Sequence, residues 1–309
     1  MMVEKPAPDA PLPPVLSTHG GLPLQDFPVP LAPEINANVQ NALAEDIGPG
    51  DLTALLIPPE RQGEATVITR QEGVLCGIDW FNAVFHTLDP AIGIVWKTKE
   101  GDTIHPGQTL CALTGAARAL LSGERAALNF LQLLSGIASK TRRHVALVAE
   151  TRAEIVDTRK TLPGLRIAQK YAVRVGGGGN HRLALWDAIL IKENHIMAAG
   201  GIAEALAAAF QVAETAGARC RFIQVEVETL AELKAALDAG APMLLLDNFD
   251  LPMLRQAVAL NRGRAVLEAS GGVEETHLRA IAETGVDRIS IGALTKHVEA
   301  LDLSMRFTM

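Results

Sequence analysis

Three short basic clusters in the middle of the chain hold the residues best suited to chemistry: Ser122-Gly123-Glu124-Arg125, Asp157-Thr158-Arg159-Lys160-Thr161 and Asn180-His181-Arg182. A planar guanidinium grips a carboxylate or phosphate through two parallel hydrogen bonds, whereas an ammonium acts as a compact point charge. Both types close together suit a ligand with several anionic groups. Any single Lys or Arg is more often a solvated helix face, so position has to decide. From Arg118 to Lys192, thirteen Lys or Arg stand against five Asp or Glu, a formal +8 within a chain whose total is -7. The acidic remainder argues against general affinity for nucleic acid, which needs a basic surface to displace counterions.

Opposite in sign are Glu226 and Asp247, each at the end of an apolar run. Carboxylates so placed hold Mg²⁺, directly or through water, or accept hydrogen bonds from ribose hydroxyls. The alternative is plain ion pairing with nearby cations. Lys192, delivered by the apolar Ile189–Ile191, also fits a Schiff-base enzyme acting on a carbonyl substrate. His181 and His195 match no zinc spacing and no cysteine accompanies them. His181 can donate a hydrogen bond to a carboxylate, and His195 reads as structural. The run Gly176–Gly179 is not a dinucleotide fingerprint, because it follows the helical Ile167–Val175 rather than a strand. It reads instead as a helix stop that lets the backbone approach another segment.

The elements that must position these groups follow from periodicity. Six short apolar runs, Glu154–Asp157, Ala188–Ile191, Phe222–Val227, Met243–Leu246, Ala265–Glu268 and Arg288–Ile291, alternate with amphipathic segments at the spacing of βα units. Nearly all end in polar residues: Lys192, Glu226 with Glu228, Asp247 with Asn248, Glu268 with Ser270, Ser290 with Gly292. In α/β barrels one rim collects such groups and carries the site. A helix is predicted from about Ser122 to Thr151. Before it, Ala65–Arg70, Val74–Gly77, Ile92–Lys99 and Gln108–Leu113 predict a small mixed sheet interrupted by a helix over Asp79–Leu88. The stretch Glu100–Leu110 also resembles the hairpins of biotinyl and lipoyl carriers, but no lysine sits in its turns.

A helix near Glu34 starts the regular structure. Met1 to Pro33 holds nine of the seventeen prolines and no arginine, and reads as a disordered tail with neither a secretory h-region nor a transit-peptide face. Cys76, Cys111 and Cys220, odd in number and widely spaced, fit a reducing cytoplasm rather than a disulfide framework. No apolar run reaches the roughly 20 residues of a membrane span.

Taken in order, the strings LAEDIGPGDLT (Leu43–Thr53), GERAALNFLQLLSGIA (Gly123–Ala138), DTRKTLPGLR (Asp157–Arg166), QKYAVRVGGGGNHR (Gln169–Arg182), LIKENH (Leu190–His195), LEASGG (Leu267–Gly272) and GALTKHVEALDLSM (Gly292–Met305) resemble the quinolinate phosphoribosyltransferase family. The resemblance runs from about residue 35 to the C-terminus. It implies an α/β sandwich over residues 34–135 beside an open α/β barrel over 136–294, with a C-terminal helix, 295–309, returning to the sandwich. It implies the substrates quinolinate and phosphoribosyl pyrophosphate, with Mg²⁺, and a homodimer or higher oligomer in which Arg125 reaches the neighbour's site.

By the same resemblance, Arg125, Thr158, Arg159, His181 and Arg182 belong to substrate binding, and all but Thr158 meet the quinolinate carboxylates. Lys160 and Lys192 stand between the two substrates and are catalytic. Glu226 and Asp247, likewise catalytic, meet the ribose hydroxyls and the metal. Ser270, Gly271, Gly272, Gly292, Ala293 and Leu294 lie in the loops beside the ribose phosphate.

Overall fold

The computed structural model describes residues 27–308. Most of the expected Pro-rich tail lies outside the described residues, but its inner limit shifts. Helix α1 (Leu31–Asp46) begins at Leu31, so Pro33 sits in its first turn. Proline is tolerated there because the first N–H groups of a helix have no intrahelical partner.

The chain continues through β1 (Gln62–Thr69), β2 (Gly73–Val74), α2 (Ile78–Leu88), β3 (Gly93–Trp96), β4 (Thr103–Ile104) and β5 (Thr109–Ala116). A long helix, α3 (Ala117–Leu147), then leads to β6 (Glu154–Val156), α4 (Arg166–Val175), β7 (Ile189–Ile191), α5 (Glu193–Ala199) and α6 (Ile202–Ala216). The remaining elements are β8 (Ile223–Val227), α7 (Leu230–Asp238), β9 (Met243–Asp247), α8 (Leu251–Asn261), β10 (Val266–Ser270), α9 (Leu278–Ala282), β11 (Arg288–Ser290), α10 (Ala293–Lys296) and β12 (Leu303–Thr308).

Two kinds of sheet result. The first is antiparallel, in the order β12-β1-β5-β3, with β2 and β4 paired beside it. The expected mixed sheet is therefore antiparallel throughout. The second has six parallel strands in the order β6-β11-β10-β9-β8-β7. Parallel pairing brings all six C-terminal ends to one edge.

The expected C-terminal helix over 295–309 is corrected. Helix ends at Lys296, and the chain returns to the first sheet as strand β12, pairing Val67 with Met305 and Ala65 with Phe307. The run Leu303, Met305, Phe307 has a period of two, which suits a sheet with one buried face and not a helix. Gly63 of β1 allows this closure, since a Cβ there would lie 2.4 Å from the Phe307 ring.

Helix α3 ties the two sheets together and runs straight across residue 135, where the sandwich was expected to end. Phe130, Leu131, Leu134 and Ile137 are buried along it. The loop leading to β12 crosses at Gly136, where an added Cβ would sit 2.0 Å from the Glu299 carbonyl oxygen. Among the described residues no single helix is long and apolar enough to cross a membrane.

Candidate active site

The C-terminal edge of the parallel sheet presents, in spatial order, the Thr158–Lys160 loop after β6, Gly292 after β11, Ser270 ending β10, Asp247 ending β9, Glu226 on β8 and Lys192 after β7. The rim read from the sequence is thus assembled by strand order. Thr158 Oγ1 accepts the Lys160 N–H at 3.0 Å, and the Thr295 hydroxyl donates to the Lys160 carbonyl at 2.8 Å. Gly292 packs so tightly that an added Cβ would meet Lys160 Cδ at 2.9 Å. This places the loops after β6 and β11 side by side.

At the far end of the rim, the Lys192 ammonium donates to Glu226 on the neighbouring strand. A Schiff-base lysine needs an unpaired amine, desolvated or beside another cation. Lys192 is instead clasped by a carboxylate and remains 45% exposed, which disfavours the aldolase-like reading. His195 Nδ1 accepts the Lys192 backbone N–H at 3.0 Å and caps α5, the structural role expected of it.

The loops after β9 and β10 interlock. Asn248, with φ 58°, donates its backbone N–H to the Ser270 carbonyl at 2.9 Å. Gly271, with φ 93°, lies against the Asn248 side chain, so that a Cβ would fall 2.2 Å from Oδ1. Gly271 and Gly272 are exposed in this turn. Leu294, expected among the binding residues, has a fully buried side chain, and its N–H bonds the Ile291 carbonyl at 3.3 Å. It anchors α10 in the core.

Beneath the β6 end lies a buried clasp. Asp157 has no exposed surface and accepts hydrogen bonds from Lys170 Nζ of α4, from Asn180 Nδ2 at 2.6 Å and from the His181 N–H at 3.0 Å. The glycine run makes this possible in both ways expected. It terminates α4, and it lets Gly179 pair beside Val156 as an extra edge segment. The clasp delivers Arg182 to the rim. Asp187 then closes the loop that follows by accepting the N–H groups of Leu183 and Ala184 at 2.8 and 2.9 Å.

His181 is corrected from a direct carboxylate ligand to an inward-facing residue. It is 5% exposed, its Nδ1 accepts the Arg182 N–H at 2.7 Å, and its Nε2 lies 2.7 Å from Gln224 Oε1. Both ring nitrogens are engaged by the protein, which leaves no donor for a ligand. Burial depresses its basicity, opposed by Glu268.

Arg159, Lys160 and Arg182 have no carboxylate within ion-pair distance among the described residues, and Arg159 Nε is buried without a hydrogen-bond partner. Burial, then the neighbouring Arg159, lower the Arg182 pKa, whereas Asp187 and Glu226 oppose them. Two mutually repelling arginines and an unpaired lysine on one rim have the charge of an anion site. Arg125 is exposed on α3.

Sequence reading missed Lys170, Asp187, Gln224 and Arg288. Three of the polar residues below the rim carry a recoverable signal. Gln224 precedes Glu226, Glu268 precedes Ser270 and Arg288 precedes Ser290 by two positions, so each pair shares a strand face. The rim is the upper layer of a polar barrel interior.

Known proteins share this fold and these two domains. Residues 51–135 match the family model described as quinolinate phosphoribosyl transferase, N-terminal domain, and residues 137–306 match the C-terminal domain model. The chain is 44% identical over 265 residues to a probable nicotinate-nucleotide pyrophosphorylase [carboxylating] of Bacillus subtilis, covering 86% of this chain and 90% of that protein. It is 39% identical to the chloroplastic nicotinate-nucleotide pyrophosphorylase [carboxylating] of Oryza sativa, covering 90% and 80%. The solved structure of the nicotinate-nucleotide pyrophosphorylase from Francisella tularensis superposes with a TM-score of 0.86 at 44% identity, covering 91% of this chain and 98% of that one.

Proposed function

Because the chain belongs to the quinolinate phosphoribosyltransferase family, we propose that its strand-end rim binds quinolinate through Arg159 and Arg182, with Lys160 and Lys192 between it and phosphoribosyl pyrophosphate. The enzyme is a pentosyltransferase that makes nicotinate mononucleotide, carbon dioxide and pyrophosphate, a step in NAD biosynthesis. One observation carries the residue roles: among the described residues, Arg159, Lys160 and Arg182 share a rim with no carboxylate within ion-pair distance. A pyridine with two adjacent carboxylates supplies what they lack.

Glu226 and Asp247 accept the ribose hydroxyls and would hold Mg²⁺. They fit that ion, since Mg²⁺ is commonly bound by one or two carboxylates together with water and substrate phosphates rather than by an all-protein cage. Among the described residues no group of three or more His, Cys, Asp or Glu forms such a cage. When bound, the ion neutralises charge on the pyrophosphate.

Lys160 and Lys192 stabilise the departing pyrophosphate as C1 of the ribose gains oxocarbenium character. The arginines hold the pyridine nitrogen in line for attack. Once the nitrogen is quaternary, the adjacent carboxylate leaves as carbon dioxide, because the ring cation stabilises the electron pair left on carbon until a proton arrives. Ser270, Gly271, Gly272, Gly292 and Ala293 cradle the ribose phosphate with backbone N–H groups.

The active form is a homodimer or larger homo-oligomer in which Arg125 serves the neighbour's rim. Two features support this. Arg125 is exposed on α3, and Leu52, Leu55 and Leu56 stand 81%, 64% and 83% exposed on a segment that Ser122 and Arg118 tie to the same helix. The domain division at 135/136 and a cytoplasmic location belong to the same proposal, the latter supported by three free cysteines.

The test is incubation of pure protein with quinolinate, phosphoribosyl pyrophosphate and Mg²⁺. Nicotinate mononucleotide should form, and omission of any component should abolish it. Nicotinate in place of quinolinate leaves one arginine facing an empty anion position, so kcat/KM should drop by roughly a thousandfold. Comparable values for the two acids would remove the assignment of the arginines to the second carboxylate.

A further inference from the structure

Below the rim, β10 carries a carboxylate with no part in the chemistry above. Glu268 is fully buried, and neither of its oxygens accepts a hydrogen bond from a protein group. Such a group is expensive to bury and calls for a reason. Each oxygen faces one donor just beyond hydrogen-bond length: His181 Nε2 lies 3.5 Å from Oε1, and Arg288 Nη1 lies 3.6 Å from Oε2.

The His181 ring has an asymmetric setting. Its Nε2 faces two acceptors, Gln224 Oε1 and Glu268 Oε1, whereas its Nδ1 faces a donor, the N–H of Arg182. That arrangement admits only the neutral ring with the proton on Nε2. Gln224 alone does not guarantee it, because an amide can turn its NH₂ to the ring and favour the other tautomer. A carboxylate has no donor to turn.

We propose that Glu268 is a positioning residue for Arg182: through His181 it keeps Nε2 protonated and Nδ1 bare, so that Nδ1 holds the Arg182 N–H and sets the guanidinium at its carboxylate-binding position. This rests on the reading of Arg182 as a quinolinate ligand. In Glu268→Gln the amide oxygen can satisfy only one of the two donors. The permanently charged Arg288 takes it, and the NH₂ is turned toward His181, where a protonated Nε2 no longer fits. The ring then moves its proton to Nδ1 and loses its hold on Arg182. Glu268→Asp retains two acceptor oxygens.

The experiment combines ¹⁵N NMR of histidine-labelled full-length protein without substrates and steady-state kinetics. Wild-type His181 should show a bare Nδ1 and a protonated Nε2. Glu268→Gln should shift the proton toward Nδ1 and raise KM for quinolinate about tenfold, the equivalent of one hydrogen bond, with kcat and the KM for phosphoribosyl pyrophosphate within about twofold. Glu268→Asp should recover most of that loss. A wild-type ring protonated on Nδ1, or charged, overturns the proposal even if the Gln variant does not fold. So does a folded Gln variant with the wild-type tautomer, or with a shifted tautomer and unchanged KM. Failure of the wild type to use quinolinate overturns the functional reading instead, and the tautomer measurement then judges the His181 geometry independently.

Discussion

Replacing Asp157 with Asn should expose how much of the rim rests on one buried charge pair. Lys170 and Asp157 are both without exposed surface, so Asp157→Asn strands an ammonium in the interior. Breaking a buried pair from one side typically destabilises by about 3–5 kcal/mol. An independent route gives a similar figure. If Lys170 escapes by losing its proton, moving from an ordinary pKa of about 10.4 to neutrality at pH 7 costs about 4.6 kcal/mol.

That escape has a signed consequence. A lysine whose folded pKa lies below its unfolded one binds fewer protons in the native state, so stability rises with pH, by up to about 1.4 kcal/mol per unit. Burial already lowers Lys170 in the wild type, with Asp157 opposing it, so there the rise begins at higher pH. Urea unfolding followed by circular dichroism at pH 6, 7, 8 and 9 reads both effects. The variant should lose about 3–5 kcal/mol at pH 7 and regain much of it by pH 9. Adding Lys170→Met should restore at least half, since both charges are gone, the amide oxygen still accepts the His181 N–H, and the new NH₂ can donate to Asn180 Oδ1, which is buried without a partner, once that amide turns. A loss under about 1 kcal/mol, a slope equal to the wild type's, or additive destabilisation in the double variant would refute the buried-charge argument.

Two further outcomes are expected. Arg125→Ala and Lys160→Ala should each be nearly inactive, yet mixed subunits should regain part of the activity, because one site of a mixed dimer escapes both lesions; equal inactivity after proven subunit exchange would put both residues in one chain's site. Gly271→Ala should raise KM for phosphoribosyl pyrophosphate at least about tenfold with little change for quinolinate, since an alanine there is strained at φ 93° and its Cβ displaces Asn248; saturation curves for each substrate at a fixed excess of the other would show it.

Much of this protein is legible in one dimension because its barrel strands are short, apolar and closed by a polar residue at nearly every C-terminal end. Period alone located all six to within about two residues, and the rim followed from the rule that parallel strands share an edge. The glycine run was readable too, since a helix pattern ahead of it left helix termination as its physical use. The C-terminal return, expected as a helix from the family resemblance, is a strand: Leu303, Met305 and Phe307 alternate, and a six-residue pattern of that kind becomes a strand only when a partner such as β1 accepts it. Which polar residues face outward to a ligand and which face inward depends on tertiary neighbours. Asn180, His181 and Arg182 are consecutive and equally polar, yet Asn180 and His181 bond to Asp157 and Gln224, whereas Arg182, itself only 8% exposed, has Arg159 and Glu226 among its charged neighbours. Composition and spacing bring charged residues together, but only the packed barrel decides which are neutralised from within and which remain for substrate, because a charge is answered by whatever lies within a few ångströms of it in space and not by its neighbours along the chain.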